Sequence, residues 1–110
     1  MREAGVEDIV DSMLSLFMGD APGRLDAIRA SCSQGDGPAT GAAAHAFKSA
    51  AGTIFAMPLF ELLRAMEFAG KNHDVERCRS LLPDVTIEYE AVMGFLESMQ
   101  ADTPPATWTP

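Results

Sequence analysis

The apolar residues of this chain recur at three- and four-residue intervals through four stretches, and short clusters of Gly, Pro and Asp divide those stretches. An α-helix of 3.6 residues per turn brings such positions onto one face, so the spacing predicts amphipathic helices. The first stretch runs from about Val6 to Ser33 and carries Ile9, Met13, Leu16, Phe17, Leu25 and Ile28. Asp20-Ala-Pro22-Gly23 interrupts it, and Pro22 either kinks one long helix or begins a second after Asp20 or Ala21. Gly35-Asp36-Gly37-Pro38 is a turn, with Asp36 placed to cap the next helix and Pro38 near its first position.

Met57-Pro58 punctuates the chain again, and Pro58 suits the start of a third helix with a buried stripe of Leu59, Leu62, Leu63 and Met66. The opposite face carries Glu61, Arg64, Glu67 and Lys71, charges three or four residues apart that can pair on a surface. Gly70 to Asp74 is the next turn, with Asp74 as cap. The last helix is expected to reach about Met99 through Leu81, Leu82, Val85, Tyr89, Val92, Phe95 and Leu96, with Pro83 bending it or marking its start. Residues 102–110, ending Thr-Pro-Pro-Ala-Thr-Trp-Thr-Pro, read as a disordered tail with Trp108 outside the core. The expected architecture is all-α: one domain over 1–101, an antiparallel up-and-down four-helix bundle whose N-terminal helix is allowed to be short or kinked.

At 110 residues the chain is long enough for one hydrophobic core and too short for two. With 47% hydrophobic residues and only 7% aromatic, that core must be built from Leu, Ile, Val, Met and Ala, which suits packed helices better than strands. The formal charge of −8 repels nucleic-acid phosphates and anionic lipid, and no Lys/Arg cluster overrides it locally. Neither nucleic acid nor membrane is therefore expected as a partner. No run approaches the roughly 18 apolar residues of a membrane span. Met1 to Asp8 is charged with no apolar signal region after it, so a cytoplasmic location is expected; the chain is separately expected to be a monomer. Cys32 and Cys78 lack Cys-x-x-Cys spacing and read as two reduced, partly buried thiols.

Within the second helical stretch lies His45. At about 100° per residue, Gly41, Ala42, Ser49 and Gly52 fall within roughly 60° of it, and Lys48 borders the same patch. Phe47 and Ile54 lie roughly 180–200° away, so the bulky side chains point into a core while the imidazole points out among small residues. Such a ring can be docked by another protein's active site. Imidazole is also the one side chain that is a fair nucleophile in its neutral form near pH 7. It can accept a phosphoryl group without a local base, and the phosphoramidate product keeps enough transfer potential to pass the group on.

The run His45-Ala-Phe-Lys48-Ser49-Ala-Ala-Gly52-Thr-Ile54-Phe-Ala56, followed by Leu59, Leu62, Leu63, Met66 and Glu67, resembles the histidine-containing phosphotransfer (HPt) domain. Phe17, Asp20, Pro22, Arg24, Leu25 and the Gly35-Asp36 turn resemble the family's first helix and turn, so the resemblance covers roughly residues 9 to 100. Ser49 and Ala50 stand where the family often has Gly-Ser, and Phe55 where it often has Gly. The resemblance implies a phosphorelay intermediate. His45 would accept the phosphoryl group from a receiver-domain aspartate of a hybrid histidine kinase and pass it to the receiver domain of a response regulator. Lys48 would steady the phosphoryl charge and Ser49 could donate a hydrogen bond to it. Gly41, Ala42, Gly52 and Phe55 are the candidate partner-binding residues. Phe55 has two readings, a rim contact that selects partners or an inward core residue, and the inward one is favoured. No cofactor is expected on this chain, Mg²⁺ being the partner receiver's.

Two other readings compete. A metal- or haem-carrying bundle using His45, His73 and methionines lacks the Glu-x-x-His pairs of di-iron bundles, because Ala42 and Gly70 stand three residues before the two histidines. His73 reads as a surface histidine in a polar turn. An HPt-like adaptor or inhibitor that binds a kinase or receiver without phosphotransfer would keep the fold and tolerate loss of His45. The chain has no Gly-rich nucleotide loop, so it reads as a phosphocarrier without kinase activity of its own.

Overall fold

The structure, a computed structural model, describes residues 6–102, with side chains from 9 to 100. Asp102, read from the sequence as the first residue of the tail, is the last residue of α4, and the rest of that tail, Trp108 included, falls outside the described residues. Four helices follow one another: α1 Val6–Ser33, α2 Gly37–Thr53, α3 Met57–Lys71 and α4 Val75–Asp102. Neighbours in sequence pack side by side, α2 against α3 most extensively, and α4 closes back onto α1. The diagonal pair α2 and α4 barely touch and α1 and α3 do not, so the bundle is four-cornered, antiparallel and up-and-down.

Pro22 does not start a second helix; α1 runs through it unbroken for 28 residues. Its buried stripe, Phe17, Ala21, Leu25, Ile28 and Cys32, crosses the proline without a change of face. Tertiary packing of that stripe outweighs the one backbone hydrogen bond that proline cannot donate. Pro83 is likewise internal to α4, whose inward residues are Cys78, Leu81, Val85 and Leu96. Ile9, Met13 and Leu16, expected on the buried face of α1, are exposed, as are Phe95 and Met99 on α4. Both groups sit where α1 and α4 extend past the shorter α2 and α3. In the middle of the bundle Phe47 is fully buried between Phe17 and Tyr89, with ring centroids 6.1 and 6.3 Å away. Cys32 and Cys78 are buried free thiols, and burial pushes the Cys78 thiol up from its ordinary pKa.

The three turns share one closure. Asp36 N donates to Ser31 O, Ala56 N to Ala51 O and Asp74 N to Ala69 O, at 3.0, 2.9 and 2.8 Å. In each, the residue before the donor is in the left-handed region: Gly35 at φ 71°, Phe55 at 60° and His73 at 60°. Glycine suits this position because it has no Cβ to clash; Phe55 and His73 occupy it at a steric cost. The helices then restart as the sequence indicates, with the Asp36 carboxylate accepting from Ala39 N and that of Asp74 from Arg77 N.

Glycine also sets the contact between α2 and α3. A Cβ on Gly70 would lie 2.5 Å from Gly41 N and 2.6 Å from Gly37 O, so only glycine lets the two backbones meet. A Cβ on Gly41 would meet Glu67 O and Lys71 N at 3.2 Å. This close crossing brings residue 67 of α3 beside residue 45 of α2.

Candidate functional site

His45 projects from the middle of α2 with 59% of its side chain exposed, while Phe47 and Ala44 beside it turn into the core. Its Nδ1 lies 2.9 Å from Oε2 of Glu67. That carboxylate is only 7% exposed, yet two ammonium groups reach it: Lys48 Nζ at 2.8 Å from Oε1 and Lys71 Nζ at 2.8 Å from Oε2. The Lys48 and Lys71 ammoniums, with a smaller contribution from His45, outweigh desolvation and hold the Glu67 carboxyl at a pKa of about 2.

A carboxylate accepts hydrogen bonds and cannot donate them. The short contact to Nδ1 therefore fixes the proton of the neutral ring on Nδ1 and leaves the lone pair of Nε2 pointing outward. The arrangement can present a correctly oriented nitrogen nucleophile next to two cations, and can offset positive charge that develops on the ring. Lys48 is further held over the ring of Phe60, 5.9 Å from its centroid.

The structure distributes the sequence-derived candidates differently from the helical wheel. Ala42 and Ser49 lie on the exposed face beside His45. The Ser49 hydroxyl donates to His45 O at 3.1 Å, so its one proton is engaged with its own helix. Gly41 is not on the open face; it is buried against α3, and its smallness serves the helix crossing. Gly52 is half-buried against Phe60, whose ring carbons would lie 3.2 and 3.3 Å from a Cβ there. Phe55 is not core: α2 stops at Thr53, so the wheel no longer applies, and the ring is 82% exposed. Ile54, expected opposite His45 in the core, is the half-buried cap of the helix.

Glu67 and Lys71 are the site members that sequence reasoning placed on a paired charged surface. The i,i+4 spacing of this pair was visible, and the two residues do pair. Nothing in the spacing indicated that the carboxylate would be buried against a helix 22 residues earlier. Among the described residues no group of three or more His, Cys, Asp or Glu could hold a metal ion.

A family model for the Hpt domain matches residues 12–100, most of the chain. The chain belongs to the Hpt domain family. Hpt domains are phosphocarriers rather than enzymes, and they serve histidine phosphotransfer in two-component signalling through contacts with receiver domains. Neither a curated protein nor a solved structure matches the chain. No helix among the described residues of this Hpt domain is long and apolar enough to cross a membrane.

Proposed function

We propose that this Hpt domain accepts a phosphoryl group on Nε2 of His45 from the receiver aspartate of a hybrid histidine kinase and delivers it to the receiver domain of a response regulator. The observation that carries the reading is the 2.9 Å contact between His45 Nδ1 and the Glu67 carboxylate, which reserves Nε2 for attack. The Nε2 lone pair attacks phosphorus in the aspartyl phosphate. The N–P bond forms as the P–O bond breaks, and the electron pair leaves with the receiver's carboxylate. The ring becomes cationic while keeping its Nδ1 proton, and Glu67 offsets that charge. Delivery to the second receiver is the reverse sequence.

Lys48 and Lys71 each carry three N–H donors. An ammonium bound to Glu67 retains donors for phosphoryl oxygens, so the pair can lower the cost of a dianion beside a chain of net charge −8. The receiver supplies its acidic pocket and Mg²⁺ from the other side. It docks over Ala42 and Ser49. On the adjoining α1 edge, Met13 and Leu16 line a shallow groove with Ala50 and Thr53, which offers the docking partner apolar surface.

The test is incubation with a panel of receiver domains of hybrid kinases phosphorylated by their own kinase modules, followed by acid-labile, base-stable label on wild type and on His45→Gln. Label on wild type from at least one donor, lost in the variant, is expected. Retained binding without label on wild type would replace this reading with that of an adaptor.

A further inference from the structure

The bundle has helices of unequal length, and the difference leaves two corners empty. The 28 residues of α1 and of α4 rise about 42 Å, whereas the 17 of α2 and 15 of α3 rise only about 26 and 22 Å. Antiparallel neighbours start level at the Ser33–Gly37 and Lys71–Val75 turns. The excess therefore stands beyond the Thr53–Met57 turn, where α1 and α4 continue as a pair. Against this step Ile54 and Phe55 of the turn and Pro58 at the start of α3 face Ala91, Val92 and Phe95 of α4 across a groove of about 400 Å³. Phe55 and Phe95 are 82% and 66% exposed, and both are large rings left without cover.

We propose that this groove docks an amphipathic helix of another protein, about three turns long, apolar on its inner face and rich in Lys or Arg along its edges. The shape argument is that a helix laid along α1 and α4 occupies a corner that α3 vacates, and packs by the same ridges and grooves as the rest of the bundle. An extended strand finds no sheet edge among the described residues. The charge argument selects the sign. No Lys or Arg occurs from residue 3 to 23 or from 80 to 110, while Glu88 lines the groove and Asp84 lies about one helical turn before it on the same side of α4. A second copy of this chain would bring the same acids to the same place, and an anionic lipid surface would be repelled likewise. A cationic helix meets an apolar floor edged by the Glu88 carboxylate, the complement that both steers and retains a partner. This inference stands independently of the phosphotransfer reading.

The test is titration of the ¹⁵N-labelled protein with a synthetic Leu/Lys amphipathic helix of about 11 residues, about 16 Å long, and with its Leu/Glu counterpart of identical periodicity. Chemical-shift changes centred on Phe55, Ala91 and Phe95 with the Lys peptide are expected, with no binding of the Glu peptide. Kd should weaken about tenfold, or 1.4 kcal/mol, in Phe95→Ser and in Glu88→Lys; both positions lie outside the buried core, so the fold should persist. Absence of binding, shifts centred elsewhere, equal binding of the two peptides, or an unchanged Kd in Phe95→Ser would overturn the proposal. So would sedimentation showing a dimer that Phe95→Ser dissolves, since the occupant would then be a second copy.

Discussion

Oε2 of Glu67 stands 2.9 Å from Nδ1 of His45 across the contact of α2 with α3. One buried carboxylate thus orients the ring, and it gathers Lys48 and Lys71 within 2.8 Å of its two oxygens. The relationship depends on a backbone crossing that only glycine allows at position 70 and that leaves little room for a Cβ at position 41.

Glu67→Gln should slow phosphoryl transfer without abolishing it. The amide oxygen can still accept from Nδ1, but it no longer offsets the ring's positive charge, and it can also turn its NH₂ toward the ring. Loss of a carboxylate that orients a metal-ligating histidine costs about 10–100-fold, and a loss of the same order is expected for this ring. Initial rates with one phosphorylated receiver measure it, and a rate equal to wild type would separate Glu67 from the chemistry.

Gly70→Ala should disrupt site and fold together. Its methyl group would sit 2.5 Å from Gly41 N and 2.7 Å from Gly41 Cα, both backbone atoms that cannot swing away. Forcing the helices apart should cost about 1–3 kcal/mol, read as a lower urea midpoint. It should also withdraw Glu67 from His45, so transfer falls even at temperatures where the variant is folded.

Phe55→Gly should stabilise the protein. Phe55 adopts φ 60° with its ring 82% exposed, so the backbone strain has no compensating burial. Relief of a left-handed non-glycine conformation is worth about 1 kcal/mol, which corresponds to a rise in Tm of about 4 °C. A lower Tm would show that the ring makes stabilising contacts.

The helix count, the Asp36 and Asp74 caps, and the core positions Phe47, Leu59, Leu63 and Met66 were legible in the sequence, because each rests on local spacing or local hydrogen bonding. His45 was legible too, as a ring opposite a bulky face. Periodicity could not show which of two overlapping stripes on α1 is buried. Ile9, Met13 and Leu16 are as regularly spaced as Phe17, Ala21 and Leu25, and only the length of α2 decides between them. The role of Glu67 was hidden for a related reason: a carboxylate three residues from Arg64 and four from Lys71 reads as a surface charge until the glycine crossing buries it. Phe55 was misplaced because a wheel extrapolates a helix past the point where it ends.

Acid should destabilise the protein partly through Glu67. Its pKa is held at about 2 in the fold against an ordinary 4.5, so between those values the unfolded chain binds a proton that the folded chain does not. The contribution is complete above pH 4.5 and is lost as pH falls toward 2. Urea unfolding at a series of pH values should show wild type losing stability in that window more steeply than Glu67→Gln. Parallel curves would mean that the ion pairs add nothing to the fold.

Lys48→Ala should reduce transfer while leaving His45 labelled, because Lys71 still reaches the Glu67 carboxylate. The double variant Lys48→Ala, Lys71→Ala should lose more than the two single effects combined if the ammoniums substitute for each other. Additive losses would assign them separate tasks.

The most direct measurement is ¹⁵N–³¹P correlation NMR of the histidine-labelled protein after phosphorylation with phosphoramidate, a small phosphoryl donor. Phosphorus attached to Nε2 of His45, with a proton retained on Nδ1, is the result expected from the contact with Glu67. Phosphorus on Nδ1 of His45, or on His73, would contradict it.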